Sequence, residues 1–260
     1  MRADKEVEVR RIGQPNVASA DRVAVEEPLQ LVVDGHPVAV MMRTPGNDEE
    51  LTAGFLWTEG IISSREEIAR IDVEAKDNHA LAFLADGVAV DYERLTRHLF
   101  SASSCGLCGK ATIEAITTVH EPAADGPVFS NDVLLGAPDA LRAAQNTFEQ
   151  TGGLHASAIF DAEGATLVVR EDVGRHNALD KVLGWALLNE VSLSSSFVLM
   201  SGRLSFELMQ KALAGRIPLV AGISAPSSLA VEFAEESNQT LVAFLRPPKF
   251  NVYAGVGRVE

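Results

Sequence analysis

Cys105 and Cys108 are the only two cysteines in 260 residues, and they stand three positions apart in Cys105-Gly106-Leu107-Cys108. A thiolate is a strong nucleophile and can carry a terminal sulfur as a persulfide. Two thiols at this spacing can also meet. One then stabilises the other's thiolate, or attacks it to release a transferred group. The neighbours Ser103, Ser104, Gly106 and Gly109 are small and let such a loop approach a partner. Two plainer readings stay open, a metal site and a structural role. A closed zinc site needs four ligands, and neither His98 nor His120 lies at a tight ligand spacing from the pair. A thioredoxin-like exchanger places its pair at the start of a helix after a strand. Here the pair follows a serine-rich stretch in mid-chain.

Gly152-Gly153-Leu154-His155-Ala156-Ser157 is the second candidate. Zinc deaminases carry a His followed two positions later by a Glu, with a later Cys-x-x-Cys. Here Ser157 replaces the Glu and the cysteines precede the histidine, so deamination is disfavoured. His155 reads equally well as a hydrogen-bonded histidine at a strand start. Three further segments place small or hydroxyl residues where a helix should begin: Glu171 to Asn177, Ser201 to Ser205, and Ser224 to Ser228. Free backbone N–H groups and the helix dipole favour anions at such points. Arg175 and Arg203 add positive charge. Each turn alone is equally a plain cap, with Ser224 before Pro226 suited to capping. If the strands before them are parallel, all three lie on one sheet edge, where α/β proteins bind ligands. Phe244-Leu245-Arg246-Pro247-Pro248-Lys249 then leaves a strand with two cations around two prolines, which suits a phosphate or a solvated turn.

The elements that must position these groups follow from pattern. Residues 1–20 read as a polar, weakly ordered arm. Leu29 to Val33 and Val38 to Met42 flank Asp34-Gly35 as a hairpin. Asn47 with Glu50 forms a capping box that opens a helix closed at Gly60. Strands follow at Ile71 to Ala75 and Ala80 to Ala85, with a hairpin turn at Asp86-Gly87. The boundaries are an N-terminal α+β domain over 21–100, a connector with the cysteine loop over 101–130, and an α/β domain over 131–260. The connector holds a short helix near Ala111 to Val119. The last part predicts a helix from Asp132 to Phe148, strands His155 to Phe160 and Thr166 to Arg170, and a helix from His176 to Asn189. Strand Phe197 to Met200, helix Leu204 to Ala214, strand Pro218 to Ile223, helix Pro226 to Glu236 and strand Thr240 to Leu245 complete it. Strands alternating with helices over short links imply a mixed or parallel sheet covered on both faces.

Composition narrows the classes. Formal charge is −14 and 47% of residues are hydrophobic. That acidity disfavours general nucleic-acid binding. The acid is concentrated early: residues 1–150 carry 13 basic and 25 acidic side chains, residues 151–260 carry 9 and 11. A polyanion is therefore better received by the second half. No signal-like or membrane-length apolar run is visible. Two lone cysteines fit a reducing compartment, so a cytoplasmic location is expected.

The segments SSCGLCG, TGGLHASA, EDVGRHNALDK, SGRLSFELMQKA and SAPSSLAVEFAEESNQTLVAFLRPPKFNVY, with EEPLQLVVDG and TAGFLWTEGII nearer the start, together resemble the FdhD/NarQ family. These are sulfur carriers for formate dehydrogenase maturation, and the likeness spans residues 25–255. It implies a sulfurtransferase with a cysteine persulfide intermediate. Sulfur would come from a cysteine desulfurase and pass to the molybdenum (or tungsten) bis-guanine-dinucleotide cofactor before that cofactor enters formate dehydrogenase. The resemblance makes Cys105 the carrier and Cys108 the assisting thiol. It makes Phe244, Leu245, Arg246, Pro247, Pro248 and Lys249 the cofactor-binding segment. It also implies a cytidine-deaminase-like C-terminal domain, a homodimer, and no resident metal. A non-enzymatic molybdenum cofactor chaperone and a deaminase-type metal hydrolase are the alternatives.

Overall fold

The computed structural model describes residues 2–13, 18–74, 78–92 and 120–260. The chain is a mixed α/β protein. Its described strands form three sheets: a two-stranded ribbon, a four-stranded sheet and a six-stranded sheet. Cys105, Cys108 and the helix expected near Ala111 to Val119 lie outside the described residues.

The N-terminal arm is strand where the sequence predicts weak order. β1 (Asp4–Arg10) and β2 (Ala18–Ala24) pair antiparallel. Five of the seven residues of β1 are charged and only Val7 and Val9 turn apolar side chains inward, too short an apolar alternation for pattern reading to find. β3 (Glu27–Val33) and β4 (His36–Arg43) form the expected hairpin. Asp34 and Gly35 both have positive φ, as a two-residue hairpin turn requires. β5 (Ile68–Glu74) and β6 (His79–Leu84) complete the sheet in the order β4-β3-β6-β5. Gly87 does turn the chain, with φ 91°, but no described strand follows it.

α1 (Asp48–Thr58) packs on this sheet, yet the capping box is not used. Asn47 is left-handed and makes no side-chain cap, while Glu50 is drawn into a bidentate ion pair with Arg170. A distant partner has outcompeted the local one. Gly60 follows the helix with φ 70°, as expected.

Residues 120–130, assigned to the connector, are strapped onto the second half. Ala123 N donates to the Ser237 carbonyl, and Phe129 is fully buried against Phe197. The helix expected as one piece is two: α2 (Asn131–Ala144) and α3 (Asn146–Thr151), broken at Gln145. The Glu171 carboxylate accepts from Thr147 N and Phe148 N at 3.0 and 2.7 Å, capping α3 from a remote strand.

The six-stranded sheet runs β12-β11-β10-β9-β7-β8. Its strands are β7 (His155–Phe160), β8 (Thr166–Asp172), β9 (Phe197–Met200), β10 (Leu219–Gly222), β11 (Thr240–Arg246) and β12 (Lys249–Ala254). β9 and β10 are buried at every residue, as central parallel strands should be. α4 (Arg175–Leu188), α5 (Phe206–Ala214) and α6 (Ser228–Glu236) supply the core on one face, and α2 covers the other. β12 is an addition to the predicted elements. Phe250, Val252 and Ala254 turn inward while Lys249, Asn251 and Tyr253 are exposed, an alternation that follows the prolines at which the strand reading stopped.

The two larger sheets are joined by α1 and α4, which cross in backbone contact. A Cβ on Gly54 would lie 1.9 Å from the Asp180 carbonyl oxygen, and one on Gly184 would lie 1.8 Å from that of Glu50. Only glycine fits at both points.

Candidate functional site

β9, β10 and β11 run parallel, and β7 is antiparallel to both β8 and β9. β8 therefore points the same way as β9, β10 and β11. The turns after β8, β9 and β10 and the tip after β11 all emerge at one edge, and β7 begins there. The condition set on the sequence is met for all three turns, and the Phe244 to Lys249 segment joins them at the same edge.

At this edge His155 faces Asp172 across the β7–β8 register. The turn after β9 presses against it: a Cβ on Gly202 would come 3.3 Å from His155 Nδ1 and 3.9 Å from Arg175 Cδ. Burial pushes the His155 imidazole below its ordinary pKa. Arg175, and more weakly His176 and Arg203, push the same way, with Asp172 opposing. His155 is thus held neutral beside cations, an environment that favours an incoming anion. Arg175 Nε, Ser157 Oγ and Ser205 Oγ are buried without a hydrogen-bond partner. Buried polar groups normally find one, so this side of the edge has donors to spare. His176 Nε2 lies 3.0 Å from Glu207 Oε2.

The motif Glu171 to Lys181 divides its labour. Asp172 accepts from Gly174 N at 2.8 Å, Asn177 Nδ2 at 2.9 Å and Thr44 N at 3.1 Å, and pairs with Lys181 at 2.7 Å. Asn177 Nδ2 also donates to the Met42 carbonyl, and Lys181 Nζ to that of Thr44. Asp180 meets Lys211 at 3.0 Å and Thr58 at 2.8 Å. These groups lock the two halves together. Only Arg175 and His176 are left at the sheet edge.

The other two turns are zipped to each other. Leu204 N donates to the Ala225 carbonyl, and Ser227 N to that of Leu204. Ser227, not Ser224, caps α6, accepting from Ala230 N at 3.2 Å. The Ser224 carbonyl instead accepts from Phe244 N. Ser205 is the N-cap of α5 but its hydroxyl makes no cap.

Phe244 to Lys249 form a bulge and hairpin tip. Phe244 has φ 52° and is exposed, while Leu245 is buried in the core beneath α2. The bulge between Ala243 and Arg246 flips successive side chains. Arg246 Nε donates to the Ile223 carbonyl at 3.0 Å, Pro247-Pro248 is cis, and Lys249 stands opposite Arg246 in the β11–β12 register. Phe244, Arg246 and Lys249 are thus available at the surface, and Leu245 anchors the segment. Four of the sequence candidates, Phe244 to Lys249 with the three turns, share the edge; the position of Cys105 and Cys108 relative to it lies outside the described residues.

Pattern reading missed a cleft of about 550 Å³ beside His155, lined by Leu141, Arg142, Gln145, Phe148 and Ser201 among others. It exists because α2 and α3 are broken at Gln145, and no local motif announces that break. Among the described residues no group of three His, Cys, Asp or Glu side chains could hold a metal ion, and no helix is long and apolar enough to cross a membrane.

Known proteins agree with the resemblance. The chain is 47% identical over 257 residues to the sulfur carrier protein FdhD of Mycobacterium tuberculosis, covering 94% of this chain and 93% of that one. It is 42% identical over 245 residues to the sulfur carrier protein FdhD of Sulfolobus acidocaldarius, with 94% and 93% covered. The crystal structure of a protein described as a formate dehydrogenase accessory protein, from Desulfotalea psychrophila, superposes with a TM-score of 0.79 at 28% identity over 99% of this chain and 98% of that one. The family model matches residues 24–260, and the chain belongs to the FdhD/NarQ family.

Proposed function

We propose that this protein is a sulfurtransferase of formate dehydrogenase maturation, carrying sulfur on Cys105 from a cysteine desulfurase to the molybdenum bis-guanine-dinucleotide cofactor. The observation that carries the reading is the likeness, over more than nine-tenths of each chain, to proteins named sulfur carriers. The Cys105 thiolate attacks the outer sulfur of the desulfurase persulfide, and the desulfurase cysteine leaves as its thiolate. Cys108 then attacks Cys105 Sγ, a Cys105–Cys108 disulfide forms, and hydrosulfide departs to the substrate metal. There it displaces an oxo ligand, which leaves as water with two protons. A cellular dithiol reductant returns the disulfide to thiols.

The cofactor is the substrate, and its phosphates are anionic. The edge described above suits them: Arg175, Arg203, Arg246 and Lys249 bring positive charge to a chain that is acidic elsewhere. Backbone N–H groups at the starts of α4 and α5 add to it. Phe244, exposed at the tip beside Arg246, offers a ring for a flat group.

We read residues 21–100 and 131–260 as two domains, the second deaminase-like, with the cysteine loop on the connector between them. We read the protein as a cytoplasmic homodimer; exposed Leu229, Tyr253 and Val256 supply apolar surface for a second copy.

Incubation with a cysteine desulfurase and free cysteine tests the central claim. One added sulfur atom is expected on the peptide containing Cys105, and none in Cys105→Ala. A Cys105→Ala protein that still supports full formate dehydrogenase activity in cells would reject sulfur transfer and leave a cofactor chaperone.

A further inference from the structure

A second cleft, of about 940 Å³, opens between the two halves of the molecule. Ala214 and Arg216 line it from the C-terminal end of α5, just ahead of β10, so it lies at the far end of the parallel strands from the cationic edge. Ile61 and Ile62, which follow α1, are buried and give it an apolar floor. Trp57 is half-buried beside them and packs against the cores of both halves. Arg216 is exposed and forms no ion pair among the described residues. His120 Nε2 is buried without a hydrogen-bond partner. Burial, and then the Arg216 charge, push this imidazole below its ordinary pKa and keep it neutral. Glu67 and Asp86 line the cleft from the first half, and Ala85 N donates to the Glu67 carbonyl. The Glu67 carboxylate is taken up by Ser63 N and Oγ, each at 2.7 Å. Asp86 is exposed and has no cation partner among the described residues.

Arg216 holds its place at a cost. Ile217 N donates to the Ala212 carbonyl and Arg216 N to that of Leu213, the paired bonds of a Schellman helix end. Glycine is the usual residue at the left-handed position of that motif, yet Arg216 occupies it with φ 60°. The cleft therefore presents a cation and an unmet imidazole on one side, an apolar floor, and an unpaired acid on the other. A small anion would leave the floor in water, and an apolar group alone would leave Arg216 and His120 unmet. A chain end satisfies all three. Its carboxylate takes a two-pronged contact from the guanidinium, and its last side chain covers the floor. Capture of a terminal carboxylate is a recurring mode of peptide recognition. The volume is near the top of the usual range of about 300–1,000 Å³ for small-molecule sites, which leaves room for more than one residue.

We propose that this cleft holds the C-terminal end of a partner protein. Arg216 and His120 meet the terminal carboxylate, an apolar last residue lies over Ile61 and Ile62, and a lysine or arginine upstream meets Asp86. The stretch that bears Cys105 and Cys108 joins the described body at Tyr92 and His120, so a partner held here sits beside one of those junctions. No cysteine takes part in the contact, which stands whether or not Cys105 carries sulfur.

Fluorescence anisotropy on the full chain tests this with a fluorescein-labelled peptide, Lys-Ala-Gly-Leu-Leu, ending in either a free carboxylate or an amide. The free acid should bind at least about tenfold more tightly than the amide, as a charged hydrogen bond would give. Arg216→Gln should bring the acid down to the level of the amide. Asp86→Asn should weaken both peptides about threefold, the scale of an exposed ion pair. Arg216→Gly removes the cation but relaxes the left-handed backbone. It should lose the preference for the acid and melt no lower than the wild type. Equal binding of acid and amide by the wild type, binding of neither, or an undiminished preference in Arg216→Gln overturns the proposal. A lower melting temperature in Arg216→Gly with the preference intact would show that Arg216 serves the helix end alone, and overturns it too.

Discussion

Along the seam where α1, α4 and α5 meet, Asp172, Asp180, Lys181 and Lys211 are all buried, and each has an opposite charge within about hydrogen-bond range. At the strand-end edge, one helix start away, Arg175 and Arg203 have no carboxylate partner among the described residues, and Ser157, Ser205 and Arg175 Nε are unmet. The same motif, Glu171 to Lys181, feeds both regions. The seam has used up its charges to hold the two halves together. The edge has kept Arg175 and Arg203 clear of carboxylates, which is what a site for anions needs. The motif's acids and its lysine serve packing, His176 meets Glu207, and Arg175 is what remains for an anion.

Removing one partner from the seam gives the largest effect. Lys211→Met strands Asp180, whose burial already raises its pKa against the opposing pull of Lys211. The expected loss is about 3–5 kcal/mol of stability in chemical denaturation. Without Lys211, Asp180 takes up a proton in the folded state, so the folded variant binds more protons than the unfolded chain. Stability then falls as pH rises above 3.8, the ordinary value, and recovers as pH is lowered towards it. A variant that melts with the wild type at neutral pH would show that the seam is not held by its charges.

Gly184→Ala comes next. Its Cβ would meet the Glu50 carbonyl oxygen at 1.8 Å, and helix backbone cannot swing aside as a side chain can. A loss of about 3 kcal/mol, the upper end for overpacking, is expected in thermal melts. A neutral result would mean that α1 and α4 separate freely.

The edge should behave in the opposite way. Arg175→Gln and Arg203→Gln should change stability by less than about 0.5 kcal/mol, since neither breaks an ion pair. Each should weaken pyrophosphate binding about tenfold, as loss of a charged hydrogen bond would. A large drop in melting temperature with unchanged binding would invert the comparison.

The smallest effect concerns protons. Burial and Arg175 hold His155 below its ordinary 6.5, so folding disfavours its protonated form and its contribution to stability is lost as pH falls below that value. An anion at the edge favours the imidazolium. Pyrophosphate binding should therefore take up a proton and tighten as pH falls towards the depressed value. His155→Asn should lose the part of the slope that the imidazole contributes, leaving only that of pyrophosphate itself. An identical slope in that variant would assign it to another group.

Much of the second half was legible. β7 and β9 begin and end where the pattern places them, because buried strands bounded by glycine and polar turns leave a dense apolar signal. β1 and β12 were not: β1 carries charge on most of its positions, and β12 is a six-residue edge strand directly behind two prolines. The Asn47–Glu50 box failed because Arg170, 120 residues away, holds Glu50. The α2–α3 break was invisible for the same kind of reason: Glu171 caps α3 from another strand.

By itself the sequence determined the chemistry on offer, two thiols three apart, and the alternation of strands and helices from His155 to Leu245. Residue type and local periodicity are properties of neighbours along the chain. Tertiary structure alone decided which charges are neutralised and which stay open, and where Gln145 finds a cleft. Those outcomes depend on groups more than a hundred residues apart, such as Thr44 with Asp172 and Thr58 with Asp180. No spacing rule along the chain encodes them, because burial decides the worth of a charge and burial exists only after folding.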